Sequence, residues 1–200
     1  MKGKSRTQVE RSATTKDALI RAARDLFAEH GFADVGTEAI VRAAGVTRGA
    51  MYHHFADKTE LFAAVFETVE AELTAQIATV AMSAPDPDPI ELMRLGARTW
   101  LEACSEPAAE RIVLIEAPSV LGWERWREIG LQHGMGLVRA LIEQAISVGR
   151  IAQQPIDPLA HVLIGALDEA ALFVARADDR ESARSEVGAV LEQLIAALSI

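Results

Sequence analysis

Apolar side chains in this chain return every three or four residues over almost its whole length, and no stretch shows the alternation of a half-buried strand. A three-to-four return marks one buried face of a helix, whereas a strand puts every second residue inside. The expected fold is therefore all-α, with about nine helices. Leu19, Ala22, Ala23, Leu26 and Phe27 define the first, beginning after Thr14 and Thr15 as N-caps and stopping at Gly31. A short second helix opens at Thr37 and closes at Gly45, and an equally short third opens at Thr47. Asp57 caps a long fourth, whose stripe of Leu61, Phe62, Val65, Phe66, Val69 and Leu73 ends at "SAPDPDP", where three prolines cannot continue a helix.

Beyond those prolines, Asp88 and Pro89 read as cap and first residue of a fifth helix running to about Cys104. Pro107 and Pro118 bracket a sixth, and a seventh runs from about Trp123 to Gly149. Asp157 and Pro158 repeat the start signal for an eighth, and a ninth extends from about Asp179 to Leu198. The expected organisation is an arm at 1–13, a head at 14–60, a connecting helix at 61–84 and a body at 85–200.

Charge divides the chain along the same lines. The net charge is -9, yet residues 1–60 carry ten Lys/Arg against eight Asp/Glu, and residues 61–200 carry ten against twenty-one. Lys2, Lys4, Arg6, Arg11 and Lys16 crowd the first sixteen residues against Glu10 alone. That arm reads either as a solubilising tail or as a flexible segment that follows a phosphate backbone. No run approaches about eighteen uninterrupted apolar residues, and the polar amino terminus lacks the apolar core of a signal peptide. A cytoplasmic protein without membrane association is expected. The single cysteine, Cys104, allows no internal disulfide and no Cys-rich zinc site.

The segment "GVTRGAMYHHFADKTELF" departs from its alanine-rich, acidic surroundings. It holds the chain's only tyrosine, two adjacent histidines, an arginine and a lysine. Two short helices joined through Gly45, Val46 and Thr47 are the parts of a helix-turn-helix, in which the second helix enters the major groove. At roughly 100° per residue, Ala50 and Met51 face inward while Arg48, Gly49, Tyr52 and His53 face out. Arg48 can fork onto a guanine, Gly49 lets the backbone approach the bases, and Tyr52 offers a ring to a thymine methyl and a hydroxyl to a phosphate. Thr47 and Lys58 stand where helix N-termini favour an anion. Singly, each residue has an ordinary surface or capping explanation; together they point to DNA.

The run "DALIRAARDLFAEHGFADVGTEAIVRAAGVTRGAMYHHFADKTELF" resembles the amino-terminal domain of TetR-family transcriptional regulators, through Gly45, Thr47, Tyr52, His54, Phe55 and Lys58 in that order. The resemblance implies that Thr37 and His54 touch phosphates and that Lys58 anchors the fourth helix to the DNA backbone, although the helical wheel turns His54 inward. Glu38 departs from what is expected beside DNA. It is read as pairing with Arg42 four residues on, or as accepting from a cytosine amine.

The resemblance further implies a body that encloses a small-molecule effector, and a homodimer formed by the last two helices. It also implies a repressor that binds a palindromic operator and is released by its ligand. Two wide apolar faces at the end of the chain allow such a dimer: Leu159, Val162, Leu163, Ala166 and Phe173 on one helix, Val187, Leu191, Leu194 and Leu198 on the other. Trp100, Trp123 and Trp126, with Arg98, Glu116, His133 and Glu169, are the candidates to line an effector cavity. The run "EAPSVLGWERW" is similar to a segment of one subgroup, without indicating a ligand. No cofactor, metal site or catalytic residue is expected. The chain has no Glu-x-x-His pair, no glycine-rich phosphate loop, and no third ligand near His53 and His54.

Overall fold

The computed structural model describes residues 8–85 and 88–200. These contain nine helices and, beyond an isolated bridge between Ile151 and Ser199, no extended pairing. The head comprises α1 (Gln8–His30), α2 (Thr37–Ala44) and α3 (Arg48–His54), and α4 (Lys58–Met82) leads out of it. The body comprises α5 (Pro89–Cys104), α6, α7 (Trp123–Ser147), α8 (Ile156–Arg176) and α9 (Arg180–Ala196). α6 has three consecutive parts: Pro107–Ala109, a wider π-helical Glu110–Glu116, and Ala117–Leu121.

Caps read from the sequence fix several of these starts. Asp57 accepts from the Glu60 amide at 2.9 Å, Asp88 from those of Ile90 and Glu91 at 2.9 and 3.3 Å, and Asp179 from that of Ser182 at 3.0 Å. Two starts differ from expectation. α1 begins at Gln8, so Thr14 and Thr15 lie within it; nothing between Gln8 and Ala13 is a helix breaker, and the hydroxyls are not needed as caps. Lys2, Lys4 and Arg6 of the expected arm lie outside the described residues. α2 opens at Thr37 as expected, with Gly36 as its cap, whereas α8 begins one residue before Asp157, which instead pairs with Arg139 at 3.1 Å.

The main core is continuous from head to body. Leu19, Phe27, Met51, Phe62 and Phe66 belong to the same buried cluster as Trp100, Val113, Trp126 and Leu191. α4 makes this possible, because its apolar face serves α1 at one end and α5 and α7 further along. A second cluster around Ile90, Ile142, Ile151 and Ile195 closes the far end of the body. By length and composition α8 could cross a membrane, but it carries Asp168 into the body as the partner of Arg127.

Candidate functional site

The head presents one short helix outward. Gly45 ends α2 in the left-handed region (φ +67°), which an L side chain rarely adopts, and its N–H donates to Arg42 O at 3.2 Å. Thr47 then caps α3 by accepting from the Ala50 amide at 3.2 Å. Met51 is fully buried and Ala50 half-buried, so Arg48, Gly49, Tyr52 and His53 all stand exposed on the opposite side. A Cβ at Gly49 would meet nothing closer than Thr47 Oγ1 at 3.9 Å. Glycine inside a helix costs about 1 kcal/mol against alanine, and the chain's own packing does not require it there.

Arg48 is not free. Its guanidinium pairs with Glu38 at 3.0 Å and lies 5.6 Å from the centre of the Tyr52 ring. Glu38 is therefore the partner of Arg48, not of Arg42. The turn brings the first residues of α2 and α3 together, and an i,i+4 pair worth a few tenths of a kcal/mol does not outweigh that contact. Both partners are well exposed, so the pair orients Arg48 with little contribution to stability.

Lys58 also has a task the sequence did not show. Its ammonium donates to the carbonyls of Phe32 and Val35 at 2.7 and 2.9 Å and sits 4.1 Å from the centre of the Phe32 ring. Two of its three donors thus tie the α1–α2 loop to α4. Lys58→Met is expected to lower stability by about 1–3 kcal/mol, the usual worth of charged hydrogen bonds. A solvated surface lysine would change it by about 0.5 kcal/mol or less. Denaturant unfolding separates the two. His54 is half-buried, edge-on to His53 at 5.3 Å, and its pKa is lowered by burial, then by His53 and Lys16. At neutral pH it offers a phosphate an N–H and little positive charge. Thr37 is half-buried in the first turn of α2.

The body grips this head at its hinges. Arg125 of α7 holds Glu60, in the first turn of α4, through two hydrogen bonds of 2.6 and 2.8 Å, and these keep the Glu60 carboxyl below its ordinary pKa. Arg111 in the π-helical part of α6 donates to Glu29 O at 3.2 Å, near the end of α1. Gly31 follows with φ +84°, and a Cβ there would lie 2.8 Å from Glu116 Oε1. Its conformation demands glycine, and a Cβ there would also have to push the Glu116 carboxylate aside.

Within the body, α4, α5, α6, α7, α8 and α9 surround a cavity of about 120 Å³. Ile77, Trp100, Trp126, Val138, Leu163 and Leu167 typify its wall. The indole N–H groups of Trp100 and Trp126 are already used, on Leu167 O at 3.3 Å and Val113 O at 3.0 Å, so both tryptophans offer only ring surface. Three charged groups reach the wall: Glu70, Arg127 and Asp168. Arg127 pairs with Asp168, whose pKa burial nonetheless raises to about 6. Glu70 is 4 % exposed; no ion pair or side-chain hydrogen bond joins it to another described residue, and its carboxyl oxygens are not sealed from solvent. Burial, then the nearby Asp168, raises its pKa to about 8.

The other cavity candidates lie elsewhere. Arg98 pairs with Glu192 at 2.7 Å on the surface, and Glu116 sits against Gly31. Trp123 is 63 % exposed and covers Trp126 with ring centres 4.8 Å apart. His133 is half-buried off the wall, and Glu169, one residue and thus about 100° round from Asp168, faces out. Neither the cavity nor the head contains a metal-ligand cluster: among the described residues no group of three or more His, Cys, Asp or Glu could hold an ion. Burial, then Glu70 and Asp168, pushes the Cys104 thiol pKa well up, which leaves it a poor nucleophile.

The candidate dimer residues divide in two. Leu191 is buried, and Leu159, Leu163, Ala166, Val187 and Leu198 pack partly into the subunit's own clusters, because one face of each helix is needed there. Val162 and Phe173 on α8, and Val190 and Leu194 on α9, remain at least half exposed. Leu194 also reaches the cavity wall.

Comparison with known proteins places this geometry. The family model described as "Bacterial regulatory proteins, tetR family" matches residues 19–65, and "Tetracyclin repressor-like, C-terminal domain" matches residues 90–198. The Tn10 TetC protein of Escherichia coli is 27 % identical over 158 residues, 79 % of each chain. The regulator CymR of Pseudomonas putida is 40 % identical over 94 residues, 46 % of each. A TetR-family transcriptional regulator from Pectobacterium atrosepticum, solved by crystallography, superimposes with a TM-score of 0.84 at 33 % identity over 98 % of both chains. RolR, solved with resorcinol, shares the fold at a TM-score of 0.75 and 21 % identity, over 95 % of this chain and 93 % of its own. A body match covering more than half of the sequence, joined to a helix-turn-helix match in front of it, shows that this chain belongs to the TetR family of transcriptional regulators.

Proposed function

We propose that the chain acts as a homodimeric repressor whose two α3 helices read a palindromic operator and whose body cavity binds a small molecule that releases it. In this reading residues 14–60 are the DNA-binding unit, 61–84 the connecting helix and 85–200 the effector and dimer unit. Arg48 reads a base edge, Tyr52 and His53 flank it, and Gly49 admits the backbone. Thr37, Thr47, His54 and Lys58 lie along the phosphates, with Lys58 acting also through the loop it ties down.

One observation carries the proposal: a short chain of contacts joins the cavity to the head. Trp126 and Val113 both line the cavity and are hydrogen-bonded to each other. Val113 belongs to the π-helical part of α6, and Arg111 of that segment holds the end of α1. π-Helical turns have weaker internal geometry than α-helix and often mark functional sites. An occupant that displaces Trp126 therefore pushes on the segment that sets the angle of the head. A coupling of about 1–3 kcal/mol changes operator affinity roughly five- to a hundred-and-fifty-fold.

Selection of bound sequences from a randomised duplex library tests the DNA-reading half. The expected product is a two-fold symmetric site with half-sites about one helical turn apart, roughly 34–36 Å. Arg48→Ala should relax one base position in each half-site. An unenriched library, or an Arg48→Ala profile identical to the wild type, would remove the proposal's basis.

A further inference from the structure

The cavity wall is apolar except at one end, where carboxyl groups outnumber guanidinium groups. Glu70 and Asp168 supply two carboxyls, and Arg127, already paired with Asp168, supplies one guanidinium. Glu70 comes from α4, Asp168 from α8 and Arg127 from α7, with the buried Cys104 thiol of α5 near both carboxyls. The Glu70 carboxyl, 4 % exposed, opens onto the cavity with no partner among the described residues, one helical turn from Thr74 on the same wall. A carboxyl set in an apolar wall and bonded to no protein donor is placed to take one from an occupant of the cavity.

We infer that the cavity takes a small, single-ring organic cation, its ring against the wall built by Trp100 and Trp126 and its ammonium against Glu70. The inference rests on the reading of the body as the effector domain. Size limits the ring: about 120 Å³ is slightly less than the roughly 150 Å³ of an engineered apolar cavity that holds benzene. Charge selects the head group. An ammonium that draws the proton off Glu70 leaves two positive and two negative charges there, and indole rings with their N–H groups engaged attract cations through their faces. A carboxylate would meet a guanidinium that is already paired and would place a third acid in the same low-dielectric space.

Proton balance gives the inference a signature. In the empty cavity burial keeps Glu70 protonated at neutral pH. A cation favours the carboxylate, so the proton moves from Glu70 to solvent and an ammonium–carboxylate pair replaces the neutral acid.

Calorimetry with the intact dimer and three probes of one shape, benzylamine, benzyl alcohol and benzoate, tests this without DNA. Benzylamine should bind at least a hundredfold more tightly than benzoate. Repeating the titration at pH 7 in buffers of different ionisation enthalpy should show release of close to one proton. Glu70→Gln should reduce the amine-to-benzoate ratio at least tenfold and abolish the proton release, while benzyl alcohol binds as before and reports an intact cavity. Benzoate binding as tightly as benzylamine, no binding of any probe, or amine binding without proton release in the wild type would each overturn the inference. Operator release by an uncharged compound alongside such a result would leave the repressor reading standing and remove only the cation.

Discussion

Glu70→Gln is expected to stabilise the ligand-free protein by about 4 kcal/mol at pH 8 and by less than about 1 kcal/mol at pH 5. The wild-type carboxyl has a folded-state pKa of about 8, against an ordinary value of 4.5, because burial disfavours its ionised form. Below pH 4.5 both states hold the proton and the group favours neither. Between 4.5 and 8 the folded state binds more protons than the unfolded one, so stability falls as pH rises. Above 8 both are ionised and the loss is complete, on the order of 4 kcal/mol for a shift of this size. Asp168, raised to about 6, adds a smaller decline at lower pH that both proteins share. Glutamine keeps the shape and cannot ionise, so its stability should stay nearly level from pH 6 to 8. At pH 8 the difference should appear as a rise in Tm of about 2–4 °C per kcal/mol for a chain of this length. Denaturant unfolding at pH 5 and pH 8 decides it, and an equal gap at the two pH values would mean that Glu70 is not held protonated.

The head was more legible in the sequence than the cavity, for a physical reason. Gly45, Thr47 and Asp57 act on backbone a few residues away, so their spacing alone announces a turn and two caps. The outward side of α3 follows in the same way from helical geometry, once Met51 is placed inside. Cavity residues meet across six helices, and no local spacing encodes that. A weak signal for Glu70 was still present, since it interrupts the apolar stripe one turn after Phe66 and beside Val69. Asp168 likewise interrupts a run of apolar positions, Val162, Leu163, Ile164, Ala166 and Leu167. Tryptophan content drew attention to Trp123, but large size does not say which ring is covered by the other. The pairing of Arg48 with Glu38 and the ties of Lys58 to Phe32 and Val35 were hidden for the same reason, each spanning ten or more residues.

Val162→Glu is expected to convert the protein to a folded monomer that no longer holds a two-half-site operator. Val162 and Phe173 are separated by eleven residues, which returns them to one side of α8. Val190 and Leu194 continue the apolar surface on α9, and only 33 % of the most apolar window of α8 is buried within the subunit. A two-fold axis places the same surface of each subunit together, so one substitution introduces a carboxylate from both sides. Desolvating two such groups without partners costs several kcal/mol unless they protonate. At 67 % exposure in the single subunit, position 162 contributes little to the subunit's own fold, and its stability should move by about 0.5 kcal/mol or less. That separates Val162 from Leu191, which is buried, and from Leu194, which also borders the cavity. Once the dimer is lost, each head binds a half-site alone, and losing the linked second head should weaken operator binding by on the order of a hundredfold or more. Sedimentation, circular dichroism and a gel shift on the selected palindrome are read together. A variant that remains dimeric and still shifts the operator would place the subunit interface away from α8.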